Sequence, residues 1–186
     1  MINFTGQYIT KANIQRYNGT NYSNFRANIV ELSPYCKDDL NTLKNTSYYW
    51  QNGNNKESLI NKIYRTALIF NKKEYLEENC PKFYAITIQQ DKFKKLNPED
   101  ILGVSQISEI SQDLTEIDFF QVAPECEYGT FEREYRNTGY EMMNFIKKHY
   151  KNSIIILSAL VSAIPFYKKM GFESMSPDKS RWILKH

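Results

Sequence analysis

Residues 163–172 read Ala163-Ile164-Pro165-Phe166-Tyr167-Lys168-Lys169-Met170-Gly171-Phe172. Ala163, Ile164, Tyr167 and Lys168 recur at helical spacing, and Gly171 stands where helices commonly end on a left-handed residue. The stretch therefore predicts a short helix closed by a glycine cap. Just before it, Ser153–Ser158 is an apolar run of strand length, the pattern of a buried strand. Earlier still, Gly139, Met142, Met143, Ile146 and Tyr150 fall on one helical stripe. Residues 139–171 thus read as helix, buried strand, helix.

Further back, Glu116-Ile117-Asp118-Phe119-Phe120-Gln121-Val122-Ala123-Pro124 reads as a strand. A loop follows, and Arg136-Asn137-Thr138-Gly139-Tyr140-Glu141 opens the helix just described. The first turn of a helix carries backbone N–H groups without intrahelical acceptors, which favour an anion, and Gly139 lets a phosphate come close. A strand–loop–helix connection with an incidental glycine is the plain structural alternative. By the period of two, Glu116, Asp118, Phe120 and Val122 should share one face of their strand.

The rest of the chain completes a mixed α+β pattern. Phe83–Gln89, Ile101–Ile110 and Thr115–Ala123 are strand-like runs separated by turn residues, hence a meander. Lys56–Glu78 reads as a long helix that stops at or before Cys80-Pro81, and Asp38–Asn45 as a short one. Ala27–Leu32 reads as a short strand, and Glu173–Met175 with Arg181–Leu184 as a closing hairpin around Pro177-Asp178. Residues 1–25, polar and broken by Gly6 and Gly19, suggest a loose hairpin. No repeat or boundary is visible, so residues 1–186 are expected to form one domain, with 1–26 as an N-terminal extension packed on it.

Composition narrows the function. In 186 residues there are only 7 glycines, which argues against multi-glycine nucleotide loops. The net charge of +3 is too mild to argue for nucleic acid. Its distribution is uneven. Residues 109–134 hold eight acids (Glu109, Asp113, Glu116, Asp118, Glu125, Glu127, Glu132 and Glu134) against Arg133, whereas bases dominate from Arg136 onward. Three dispersed cysteines without a CxxC pair suggest reduced thiols, and two histidines leave little material for a metal site or a Ser/His/Asp triad. A thiol enzyme using Cys126 and His149 remains a minor alternative. With no signal peptide and no apolar run of membrane-spanning length, a cytoplasmic protein without a membrane partner is expected.

The Phe166-Tyr167-Lys168-Lys169-Met170-Gly171-Phe172 stretch, one buried strand after Arg136-Asn137-Thr138-Gly139-Tyr140-Glu141, resembles the GNAT (Gcn5-related N-acetyltransferase) superfamily over about residues 27–186. The resemblance implies a central, mostly antiparallel twisted sheet flanked by helices, with a parallel splayed pair at the cofactor site. It implies acetyl-CoA as co-substrate, no metal, and transfer to a primary amine by direct attack in a ternary complex. Three features depart from the family pattern. Glu141 stands where Gly or Ala is usual, the loop from Pro124 to Arg136 is long, and Leu160 replaces an Asn.

The same resemblance assigns residues. Tyr167 is the acid that protonates the departing thiolate, and Glu116 or Asp118 is the base. Arg136, Asn137, Thr138, Gly139, Tyr140 and Glu141 form the pyrophosphate loop. Val122 and Ala123 pair with the pantetheine arm, the Val122 N–H serves the thioester oxygen, and Ser158, Phe166 and Tyr167 border the coenzyme. Both acids are alternatively edge-strand residues facing water, and Tyr167 a packing aromatic. The acceptor is a small-molecule or protein amine. Charged tRNA ranks last because it asks for a stronger basic surface. A monomer or homodimer is expected, and a catalytically inactive acyl-CoA-binding sensor is the alternative function.

Overall fold

A computed structural model describes residues 6–51, 59–72, 80–91, 93, 95–127 and 133–185. In chain order the elements are β1 (Gln7–Tyr17), β2 (Tyr22–Leu32), α1 (Lys37–Trp50), α2 (Leu59–Lys72), β3 (Lys82–Thr87), β4 (Ile101–Ser111), β5 (Leu114–Val122), β6 (Tyr135–Arg136), α3 (Thr138–His149), β7 (Ile154–Ser158), α4 (Ile164–Lys169), β8 (Glu173–Ser174) and β9 (Arg181–Leu184). The strands form one sheet in the order β6-β1-β2-β3-β4-β5-β7-β9-β8. Every neighbouring pair is antiparallel except β5 and β7. This is the mixed α+β class expected, a mostly antiparallel sheet with one parallel pair.

Two stretches are more regular than their sequence suggests. Residues 7–32 form two eleven-residue strands rather than a loose hairpin. Their turn is built by Asn18, whose side-chain oxygen accepts the N–H groups of Thr20 and Asn21, and by Gly19 at φ 92°. The helix expected over Asp38–Asn45 runs on to Trp50. Its polar residues are poor helix formers, but Leu40, Leu43, Ser47 and Trp50 are buried at helical spacing, and packing overrides propensity. Of the predicted Lys56–Glu78 helix, Leu59–Lys72 is helical, and its two ends lie outside the described residues.

Residues paired across antiparallel strands place their side chains on one face. Gly103, Ser105 and Ile107 of β4 pair with Val122, Phe120 and Ile117 of β5. This face meets α3, because a Cβ on Gly103 would lie 3.3 Å from Met142 Sδ. Val104, Gln106 and Ser108 pair with Gln121, Phe119 and Glu116. That second face meets α2, where Gln121 Oε1 accepts the Ile60 N–H at 2.9 Å. The two helices therefore cover opposite faces of the sheet.

The register slips by one residue between Gln106/Phe119 and Ile107/Ile117, which makes Asp118 a β-bulge. The bulge overturns the expectation that Glu116, Asp118, Phe120 and Val122 share a face. Phe120 and Val122 lie toward α3. Glu116 lies toward α2, and so does the Asp118 carboxylate, which is bonded to the side chains of Gln106 and Ser108.

The parallel pair is short. β5 and β7 pair only from Leu114/Ile154 to Ile117/Leu157. Beyond that point β5 continues to Val122, whereas β7 ends at Ser158.

Candidate active site

Beyond Ile117 the edge of β5 that faced β7 has no paired strand among the described residues. The Ala123 N–H donates to the Leu102 carbonyl of β4 at 2.9 Å. Successive residues of a strand direct their amides to opposite edges, so Val122 and Phe120 direct theirs to the edge that β7 has left. Across the gap, Phe120 and Phe166 of α4 stack with centroids 6.0 Å apart. Gly139 faces the same place, since an added Cβ would lie 3.5 Å from Val122 Cγ1, 3.7 Å from Phe120 Cε1 and 3.8 Å from Phe166 Cε2. The end of β5, the first turn of α3 and α4 therefore converge at one point.

The first turn of α3 begins on a left-handed residue and offers backbone donors. Asn137 adopts φ 66°, a left-handed conformation that Asn tolerates better than most residues. The first intrahelical bond runs from the Glu141 N–H to the Asn137 carbonyl at 2.9 Å. The N–H groups of Thr138, Gly139 and Tyr140 thus have no intrahelical acceptor, and the Asn137 side chain does not cap the turn. Thr138 is buried and its hydroxyl donates to Cys126 Sγ at 3.5 Å, while Tyr140 is exposed. The Arg136 guanidinium carbon lies 3.5 Å from the Tyr22 ring centroid. Glu141, the residue out of keeping with the loop pattern, accepts the Asn13 N–H of β1 at 3.3 Å. Its carboxylate is thus engaged at the sheet edge.

Of the two acids, Asp118 is the better protected. Its Oδ2 accepts from Ser108 Oγ at 2.6 Å and Gln106 Nε2 at 3.1 Å, and burial raises its pKa against the lowering effect of those bonds. Asp118 is also the first residue of β5 past the β7 pairing. Glu116 lies within the paired region and forms an ion pair with Arg181 of β9 at 3.2 Å. Tyr167 is buried, makes edge-to-face contacts with Phe166 and Phe172, and has no hydroxyl hydrogen bond among the described residues. Burial pushes its phenol up to about 12, so it is protonated at neutral pH. Ser158 is exposed at the end of β7 and pairs with Arg181.

Sequence reading missed four contributors: Gln106, Ser108, Tyr22 and Asn13. The signal for the first two was present, as Gln106 inside the mainly apolar stretch from Ile101 to Ile107 and Ser108 just beyond it. Cys126 and His149 are not brought together. Cys126 touches Thr138, the first residue of α3, and His149 is its last, about 16 Å along the axis. Burial also pushes the Cys126 thiol up to about 12, the reverse of a reactive thiolate.

No protein-family model matches the chain, and no curated protein sequence matches it. Solved structures do. A candidate acetyltransferase of the GNAT family from Desulfovibrio desulfuricans superposes with a TM-score of 0.53 at 10% identity, covering 84% of this chain and 98% of its own. A candidate N-acetyltransferase from Lactobacillus plantarum gives 0.52 at 7% identity, covering 84% and 94%. The chain has the GNAT fold, with the mostly antiparallel sheet and single parallel pair that the sequence motifs implied.

Proposed function

We propose that this chain transfers the acetyl group of acetyl-CoA to a primary amine by direct attack in a ternary complex. The observation that carries the reading is the edge of β5 beyond Ile117, unpaired among the described residues, leading to the first turn of α3, whose N–H groups have no intrahelical acceptor. An open edge takes an amide-bearing chain as an added strand, and a helix N-terminus takes phosphate. The pantetheine amides and pyrophosphate of acetyl-CoA have that chemistry in that order. Val122 and Ala123 would flank the pantetheine arm, Arg136 to Glu141 the pyrophosphate, and Ser158 and Phe166 the opposite wall.

When bound, acetyl-CoA supplies an activated thioester carbonyl, and the residues of this chain supply the rest. Asp118 accepts the proton that the amine gives up, directly or through water, and Glu116 is the second candidate for that role. The Val122 N–H stabilises charge developing on the carbonyl oxygen. Tyr167 donates its proton to the departing sulfur as the C–N bond forms and the C–S bond breaks. No group of three or more His, Cys, Asp or Glu side chains able to hold a metal ion occurs among the described residues.

The acceptor is a cationic amine, carried by a small molecule or a protein. Glu116, Glu125 and Glu127 lie on or just after β5, and replacing all three by Gln should raise the amine KM with little change in the acetyl-CoA KM. No helix among the described residues is long and apolar enough to cross a membrane. A cytoplasmic site of action, as monomer or homodimer, completes the proposal.

Thiol release from acetyl-CoA over a panel of amines tests it, with Tyr167→Phe, Asp118→Asn and Glu116→Gln as controls. Release that depends on an amine and on Tyr167 supports the transferase. CoA binding with no release for any amine supports an acyl-CoA sensor instead.

A further inference from the structure

The segment from Arg133 to Glu141 is held by a part of the chain outside the motif. The Tyr17 N–H of β1 donates to the Glu134 carbonyl at 2.8 Å, and Arg16 pairs with the Glu134 carboxylate at 2.9 Å. Gln15 and Arg16 pair with Arg136 and Tyr135 in the β1–β6 ladder. The Tyr22 hydroxyl of β2 donates to the Arg133 carbonyl, while its ring lies against the Arg136 guanidinium. The Asn13 N–H donates to the Glu141 carboxylate. Both ends of the loop are therefore fixed by the first hairpin.

We propose that the β1–β2 hairpin is a working part of the anion site, with Tyr22 the positioning residue that aims Arg136 at the coenzyme phosphates. The inference rests on the acetyl-CoA reading above. A guanidinium lying on an aromatic face keeps its N–H donors free around the rim of its plane, where a phosphate is met. Without the ring, the same side chain must be ordered by the ligand itself, at a cost in affinity. The hairpin also engages the one carboxylate between Arg136 and Glu141, because the Asn13 N–H donates to Glu141. A loop with a single glycine and an acid at its last position thus gains donor geometry from residues more than a hundred positions away.

The test is a double-mutant cycle on the full chain, read by calorimetric titration with CoA. Tyr22→Ala should weaken CoA binding about tenfold, and Tyr22→Phe, which keeps the ring but frees it from the Arg133 carbonyl that holds it against Arg136, about threefold. In an Arg136→Ala background, Tyr22→Ala should cause no further loss. A merely structural role predicts additive losses instead. Equal CoA affinity for wild type and Tyr22→Ala, or additivity with Arg136→Ala, overturns the inference alone. Should Tyr22→Ala fail to fold, Tyr22→Phe alone and combined with Arg136→Ala separates the two cases in the same way. A wild-type chain that binds no CoA overturns the coenzyme reading and this inference together.

Discussion

Ser108 Oγ lies 2.6 Å from Asp118 Oδ2, on the residue where β5 carries its bulge. Gln106 donates to the same oxygen, so both side-chain bonds fall on Oδ2. Asp118 in the role of base should therefore control the acid limb of the pH–rate profile. Burial raises its pKa, so the rate should climb with pH through a midpoint above the ordinary aspartate value of 3.8. Asp118→Asn should lower kcat by about 10²–10⁴-fold and remove that limb. Glu116→Gln, which removes the ion pair with Arg181, should leave the limb in place. Steady-state rates across pH for both variants check the assignment.

Tyr167 is buried with no hydroxyl partner among the described residues, so its hydroxyl adds little to folding. Tyr167→Phe should leave the melting temperature nearly unchanged while kcat falls by about 10²-fold. A variant that melts early yet turns over normally would assign Tyr167 to packing. Thermal denaturation and initial rates on one preparation separate the two.

Gly139 has room for a methyl group, since its nearest neighbours would lie at ordinary contact distances. Gly139→Ala should keep or slightly raise stability, by up to ~1 kcal/mol from helix propensity. The methyl would nevertheless face the gap between Phe120 and Phe166. CoA affinity should fall about tenfold, equivalent to ~1.4 kcal/mol, by calorimetric titration.

Asp39 in α1 is buried and accepts the N–H groups of Gly6 and Ser33. Asp39→Ala strands both donors and should cost about 1–3 kcal/mol in chemical denaturation. Burial raises the carboxyl from 3.8 to about 6, so the folded chain binds this proton more tightly than the unfolded chain. This group's contribution is full below 3.8 and is lost as pH rises through about 6. The difference in melting temperature between wild type and Asp39→Asn, followed from about pH 3.5 to about 7, should show that decline.

Cys126 is buried with its thiol held up to about 12, so iodoacetamide at neutral pH should leave turnover largely intact. Loss of activity in step with Cys126 alkylation would revive the thiol reading.

The elements with strong periodicity were legible in the sequence. The apolar run at Ile154–Leu157, the stripe from Met142 to Tyr150 and the cap at Gly171 depend on local pattern, and each forms as its residues suggest. The bulge at Asp118 was not legible. A one-residue slip is decided by the pairing of β4 with β5, and nothing in Glu116–Val122 alone marks it. The partners of Arg136 and Glu141 were hidden for a related reason. Tyr22 and Asn13 come near the loop only because the sheet order places β1 beside β6. The candidate base and acid were readable as residue types. Their relative merit was not, since it depends on Ser108, Gln106 and Arg181 arriving from other strands.

The contacts that fasten the loop to the first hairpin span 128 residues for Asn13 and Glu141, 118 for Arg16 and Glu134, and 111 for Tyr22 and Arg133. Contacts of such separation form late, because most of the chain must be ordered before loop closure is rewarded. The helices and the β3–β5 meander depend on nearer neighbours and can form earlier. Competence to bind CoA should therefore be a late event in folding. In a refolding experiment, ligand binding should return after the sheet signal, and a nascent chain on the ribosome should acquire it only after residue 141 has emerged.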